Sequence, residues 1–167
     1  MPRPDSFPLR YLPYQLSRKD RKKQCASIKK SRKAYRSEKG AQKYVPRPIL
    51  SSFKSKKSKH VLLAEKMYDV ERIAPDRQLA QKTKCSVAAL KQIVKKGAGA
   101  YYSSGSRPNQ TAQSWGIARL ASSITGGKAS AVDYAILDKG CDHKTSRAFR
   151  LAKPPKYGRK HTRRINV

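Results

Sequence analysis

Residues 97–116, GAGAYYSSGSRPNQTAQSWG, gather glycines, hydroxyls and one arginine in an order that invites a phosphate-binding reading. Successive backbone N–H groups beside glycines can form an anion nest. A GxxxxGK[ST] loop, however, needs a lysine and a hydroxyl directly after its last glycine. GSRPNQTA supplies neither, and GGKAS (126–130) follows a helical pattern instead of preceding one. GAGA lacks the third glycine of the dinucleotide fingerprint and also follows a helical pattern, not a strand. Hydrolytic chemistry fares no better. Ser103, Ser104 and Ser106 would need a base within hydrogen-bond reach, yet His60, His143 and His161 lie in basic segments. Cys141 and His143, with Asp142 between them, are two ligands and read as a turn, not a zinc site. Asp133 and Asp138, five apart, do not share a helical face. The residues therefore point to no catalytic, cofactor or metal site, and away from an enzyme.

The same stretch makes sense as a packed centre. Tyr101 and Tyr102 can bury aromatic rings while the serines satisfy a turn, and Asn109 or Thr111 can cap the helix that follows. Arg107, Arg119 and Lys128 either neutralise Asp133, Asp138 and helix-end carbonyls or bind a phosphate or partner carboxylate.

The elements that would position these residues are mostly helical. Ser17 caps a helix in which Asp20 sits near the positive dipole end, and Cys25, Ile28 and Tyr35 form a thin apolar stripe; Gly40 ends it. YVPRPILSSF (44–53) reads extended because of its prolines. VLLAEKMYDVE (61–71) is a helix with Leu62, Leu63, Met67 and Val70 inward, stopped by Pro75. In CSVAALKQIVKKG, Ser86 caps, Val87, Leu90, Ile93 and Val94 share one side, and Gly97 terminates. A helix over 111–125 carries Trp115 and Ala118 on one strip and Ile117, Leu120, Ala121 and Ile124 on a broader one, ended by Gly126 and Gly127. A further helix over 129–139 turns Val132, Ala135, Ile136 and Leu137 inward.

The pattern predicts a mainly α protein, a small helical core with extended basic N- and C-terminal arms. Its parts are a Pro/Tyr arm (1–16), a basic helix and extended linker (17–60), a compact helical core (61–140) and a basic arm (141–167). In the first arm Tyr11, Leu12 and Tyr14 are docking anchors for a neighbour, unless the segment stays a random coil.

Charge sharpens this picture. The 167 residues carry a formal net charge of +30, distributed as +16 over 1–60, +4 over 61–96, +1 over 97–138 and +9 over 139–167. Like-charged arms require a counter-charge, which nucleic acid or acidic protein subunits can supply. Anionic membrane is the weaker partner, because no arm couples its charge to a sustained apolar face. The expected contacts are Arg18, Arg21, Lys22, Lys29, Lys33, Arg36, Lys54, Lys56 and Lys57, then Arg107, Arg119 and Lys128, and in the tail Arg159, Lys160, Arg163 and Arg164. Cys25, Cys85 and Cys141, odd in number and far apart, read as reduced thiols.

KKGAGAYYSSGSRPNQTAQSWGIARLASSITGGKASAVD (95–133) resembles a family of domains of unknown function from large double-stranded DNA viruses of the chlorella-virus and giant-virus type. Gly97, Gly99, Tyr101, Arg107–Pro108, Ser114–Trp115, Ala118–Arg119, Gly126–Gly127–Lys128–Ala129 and Asp133 carry the resemblance. It implies a virion component on the inner face of a capsid, with major and other minor capsid proteins as partners. The expectation is a non-enzymatic minor capsid or cement protein linking subunits through its core and arms. The alternative is a sequence-nonspecific DNA-binding or genome-packaging protein that contacts double-stranded DNA phosphates with its basic helix and tail.

Overall fold

A computed structural model describes residues 5–37, 44–155 and 163–167. Gly40, Arg159 and Lys160 lie outside them, as does His161. The fold is mainly helical. In order it contains β1 (Ser6–Pro8), α1 (Arg18–Arg36), α2 (Lys59–Tyr68), α3 (Arg77–Thr83), α4 (Val87–Ser103), α5 (Ala112–Ile124), α6 (Lys128–Val132), α7 (Tyr134–Gly140), α8 (Arg147–Leu151) and β2 (Arg164–Asn166). No helix of the described residues is long and apolar enough to cross a membrane. The chain divides into two compact units, and α4 contributes residues to each.

The first unit takes residues 1–56, 99–111 and 160–167. β1 pairs antiparallel with β2, Phe7 opposite Ile165, so the last residues of the chain close onto the first. Phe7, Tyr11, Leu12, Leu16, Cys25, Ile28, Leu50 and Tyr101 are buried. Tyr11 and Leu12 are thus core residues of their own unit and not docking anchors; only Tyr14, 74% exposed, stays outside. Over residues 5–16 the segment is not a coil, because Phe7, Tyr11, Leu12 and Leu16 are buried within the unit.

α1 begins as its sequence requires, with Ser17 Oγ accepting from the Asp20 N–H at 3.2 Å. Asp20 has a second duty: its carboxylate accepts from the Ser52 N–H at 3.0 Å and from Ser52 Oγ at 2.6 Å, fixing the extended segment against the helix. Those bonds hold the Asp20 carboxyl below the ordinary aspartate range. A depressed folded-state pKa contributes stability above the unfolded pKa and loses it as pH falls through the folded one. We therefore expect the wild-type melting temperature to fall more steeply than that of Asp20→Asn between about pH 5 and pH 2. Parallel acid profiles would remove Asp20 from this role.

The second unit takes residues 57–98 and 112–159, and its core joins Val61, Ala64 and Tyr68 to Leu90, Ile93 and Val94, Leu120 and Ile124, and Leu137 and Ala148. In α2 the inward face is Val61, Ala64 and Tyr68, spaced three and four apart, so Leu62 and Leu63 are 50% and 47% exposed instead of inward. Asp69 in the left-handed region ends α2 before Pro75 is reached. The buried Tyr68 hydroxyl donates to the Ile124 carbonyl at 2.6 Å, and burial pushes its pKa up to about 12. α3 is an unforeseen helix, capped by the Asp76 carboxylate accepting from the Leu79 N–H.

α4 starts at the Ser86 cap but does not stop at Gly97. A Cβ at Gly97 would stand 2.6 Å from the Gly116 Cα, and one at Gly116 would stand 2.5 Å from the Val94 carbonyl oxygen. Both glycines serve the close crossing of α4 and α5, within two continuous helices.

Asp133 splits the expected 129–139 helix into α6 and α7, leaving Val132 65% exposed and Ala135 exposed while Ile136 and Leu137 stay inward. The region beyond Gly140 is not simply an arm. Cys141 forms a disulfide with Cys85, against the expectation of reduced thiols, and Cys25 is the buried free cysteine. α8 then packs Ala148 into the core.

Candidate nucleic-acid interface

The chemistry of the first unit is that of a cationic helix whose inner face is engaged in structure. At 100° per residue, Arg18, Lys19, Lys22, Lys23, Lys29, Lys30, Lys33 and Arg36 fall on one arc of about 140°, broken only by Ala26. All of them are exposed. The opposite arc carries Asp20, Gln24, Cys25, Ile28 and Ser31, which are buried. Over its 19 residues the helix runs about 28 Å. The arc includes Lys19, Lys23 and Lys30, which the charge reading passed over; the helical wheel was the signal that would have found them.

The inner-face polar groups fasten α1 to the end of α4. A helix leaves its last carbonyls without intrahelical donors, at the negative end of its dipole. Ser31 Oγ donates to the Tyr102 carbonyl at 2.8 Å, Arg32 Nε to the Ser104 carbonyl at 2.8 Å, and Arg47 Nη2 to the Tyr101 carbonyl. Arg47 also lies over the Tyr101 ring, 4.6 Å from its centroid, and Arg32 at 4.6 Å over Phe7. Burial pulls both guanidiniums below the ordinary arginine value. Gln24 Nε2 donates to the carbonyls of Tyr11 and Ser106, each at 3.3 Å. The neutral stretch thus contains a helix terminus received by basic side chains, and the turn after it is fixed in turn. Gly105, at φ +132°, lets the backbone pass the Tyr11 ring. Asn109 does not cap α5 with its side chain; that amide bonds the backbones of Leu50 and Phe53.

Several expected contacts have internal partners. Arg21 donates to the Leu12 and Pro13 carbonyls, and Arg164 holds Ser6. Arg119 takes the first of the two roles its sequence offered, neutralising Asp133. Its guanidinium makes a two-pronged pair with Asp133, at 2.9 and 2.7 Å, and the fully buried carboxylate also accepts from Ser123 at 2.8 Å. Arg119 is a core tie and not a phosphate contact. Lys29 pairs with Asp5 at 2.7 Å and Lys57 with Glu65 at 2.8 Å, both remaining largely exposed. Lys54, Lys56, Arg107 and Arg163 are exposed in the first unit, and Lys128 is exposed on α6. Among the described residues Asp5 and Asp20 are the first unit's only acids; Asp20 is tied to Ser52 on the inner side, and Asp5 meets the outer arc of α1 at Lys29 alone. Of the structural set, Tyr101 is buried with its hydroxyl on the Gln110 carbonyl, Tyr102 and Trp115 are half-buried, and Gly99 lies inside α4. Gly126, at φ +72°, and Gly127 form the α5–α6 turn as expected.

Among the described residues no cluster of three His, Cys, Asp or Glu side chains is placed to hold a metal. Asp142 turns the chain by accepting from the N–H groups of Lys144 and Thr145, while His143 stacks on Phe149 at 4.2 Å.

Mainly helical and divided into two units, the chain matches a profile described as a family of unknown function (DUF5824) over residues 8–142. It belongs to that family. No curated protein and no solved structure matches it.

Proposed function

We propose that this is a non-enzymatic, sequence-nonspecific nucleic-acid-binding protein, and that it acts within a virus particle. The observation that carries the reading is the outer arc of α1, a cationic surface about 28 Å long on which, among the described residues, only Lys29 is paired with an acid. Lysines in such an array bind phosphates as point charges and displace condensed counterions, giving affinity that depends on salt and hardly on sequence. The Cys85–Cys141 disulfide supports an oxidising setting, of which a virion surface is one and the cytosol is not.

The test is binding of labelled oligonucleotides of unrelated sequence across a salt series. Lys22, Lys30 and Lys33 replaced together by Gln should reduce the slope of log K against log salt by about 3, one unit per lost contact. Lys29 is left in place to keep Asp5 paired. An unchanged slope and affinity in the triple variant would overturn the reading.

The second reading is a minor capsid protein that links subunits. It draws on the exposed apolar Leu62 and Leu63 of α2 and Val132 of α6, since Tyr11 and Leu12 are not available as anchors. Cross-links from the second unit to capsid subunits that survive nuclease treatment would favour it.

A further inference from the structure

Tyr44 is 67% exposed, yet it is not a loose surface side chain. It packs edge-on against Tyr102 with centroids 4.8 Å apart. Tyr102 meets Tyr101 edge-on at 5.0 Å, and the Arg47 guanidinium covers Tyr101. The Tyr102 carbonyl in turn accepts from Ser31 of α1. A chain of oriented rings ending in a cation therefore holds one exposed aromatic in place, anchored to the inner face of the cationic helix at Ser31.

We propose that Tyr44, backed by Tyr102, is a stacking platform for an unpaired nucleobase, so that single-stranded nucleic acid is the favoured ligand. This rests on the phosphate-binding reading of α1. Base–aromatic stacking is tolerant of sequence because every base has a π-face. In a duplex those faces are closed by neighbouring base pairs, and only an unpaired or terminal base can reach a ring on a protein surface. The charge of the first unit selects the occupant. An aromatic side chain of a partner protein would fit the ring equally well, but the exposed lysines of α1, of which only Lys29 pairs with an acid among the described residues, favour a polyanion that carries its own aromatic groups. A preordered ring also loses less side-chain freedom on binding than a mobile one.

The experiment compares the full chain with Tyr44→Ala, Tyr44→Phe and the Lys22/Lys30/Lys33→Gln variant, by anisotropy of a labelled single-stranded oligonucleotide and of the duplex of equal length. Tyr44→Ala should weaken single-strand binding about tenfold and leave duplex binding unchanged, while Tyr44→Phe keeps the affinity. The platform is overturned if Tyr44→Ala leaves single-strand affinity unchanged, or weakens both ligands equally. If that happens while the triple lysine variant loses both ligands, stacking fails and phosphate binding stands. If the triple variant binds both ligands like wild type, the underlying reading fails as well.

Discussion

Reducing the Cys85–Cys141 disulfide is expected to lower the stability of the protein by about 4 kcal/mol, the largest effect of any single covalent change. The two cysteines are separated by 56 residues, and cross-linking a loop of that length removes a correspondingly large conformational entropy from the unfolded chain. The bridge joins the residue before the Ser86 cap of α4 to the end of α7. Around it the Ser86 N–H donates to the Gly140 carbonyl at 2.7 Å and the Asp142 N–H to the Lys84 carbonyl at 2.9 Å. Both sulfurs are in buried residues, so alanine suits the control better than serine. Denaturant midpoints should drop on adding reductant to the wild type and to Cys25→Ala, while the double variant Cys85→Ala/Cys141→Ala is already low and indifferent to reductant. A wild-type midpoint unmoved by reductant would show that the thiols are not joined.

The second large effect lies where α4 crosses α5. Gly116→Val places a branched side chain where even a Cβ meets the Val94 carbonyl oxygen at 2.5 Å and its Cγ1 at 3.0 Å. The obstacle is helix backbone, which cannot swing aside, so the helices must separate and loosen the layer of Leu90, Ile93, Leu120 and Ile124. We expect a loss of about 3 kcal/mol, at the upper end for overpacking. Gly97→Ala should also destabilise, although in a helix interior glycine is about 1 kcal/mol worse than alanine. Gly99→Ala supplies the contrast. Only the Tyr35 hydroxyl comes within reach of its Cβ, at 3.9 Å, so the ordinary helix preference prevails and stability should rise by up to about 1 kcal/mol. Thermal melts of the three variants separate close approach from chain-ending as the reason for these glycines. Equal effects at Gly97 and Gly99 would contradict this account of the crossing.

That contrast also shows where the sequence was legible and where it was not. The Ser17 and Ser86 caps, the broad face of α5 and the inward Ile136 and Leu137 follow from spacing within one element, and they are found as expected. Gly97 was misread because a glycine near lysines resembles a helix end; its neighbour Gly116 lies on another helix, and no local pattern reveals the approach. The disulfide failed for the same reason, its partners being brought together only by the fold. Tyr11 and Leu12 looked like anchors because the strand that completes their unit comes from residues 164–166. At the candidate site the basic character of α1 was plain from composition. Its division into an outer arc and an inner set that receives the carbonyls of α4 depended on knowing what Ser31, Arg32 and Arg47 face.

The most direct test of the central claim is lysine acetylation of the full chain, with and without a single-stranded oligonucleotide, followed by peptide mass spectrometry. The account predicts that Lys22, Lys30 and Lys33 of α1 become protected, while the exposed Lys66, Lys82 and Lys91 of the second unit react at unchanged rates. Unchanged reactivity along α1, or protection confined to the second unit, would contradict it.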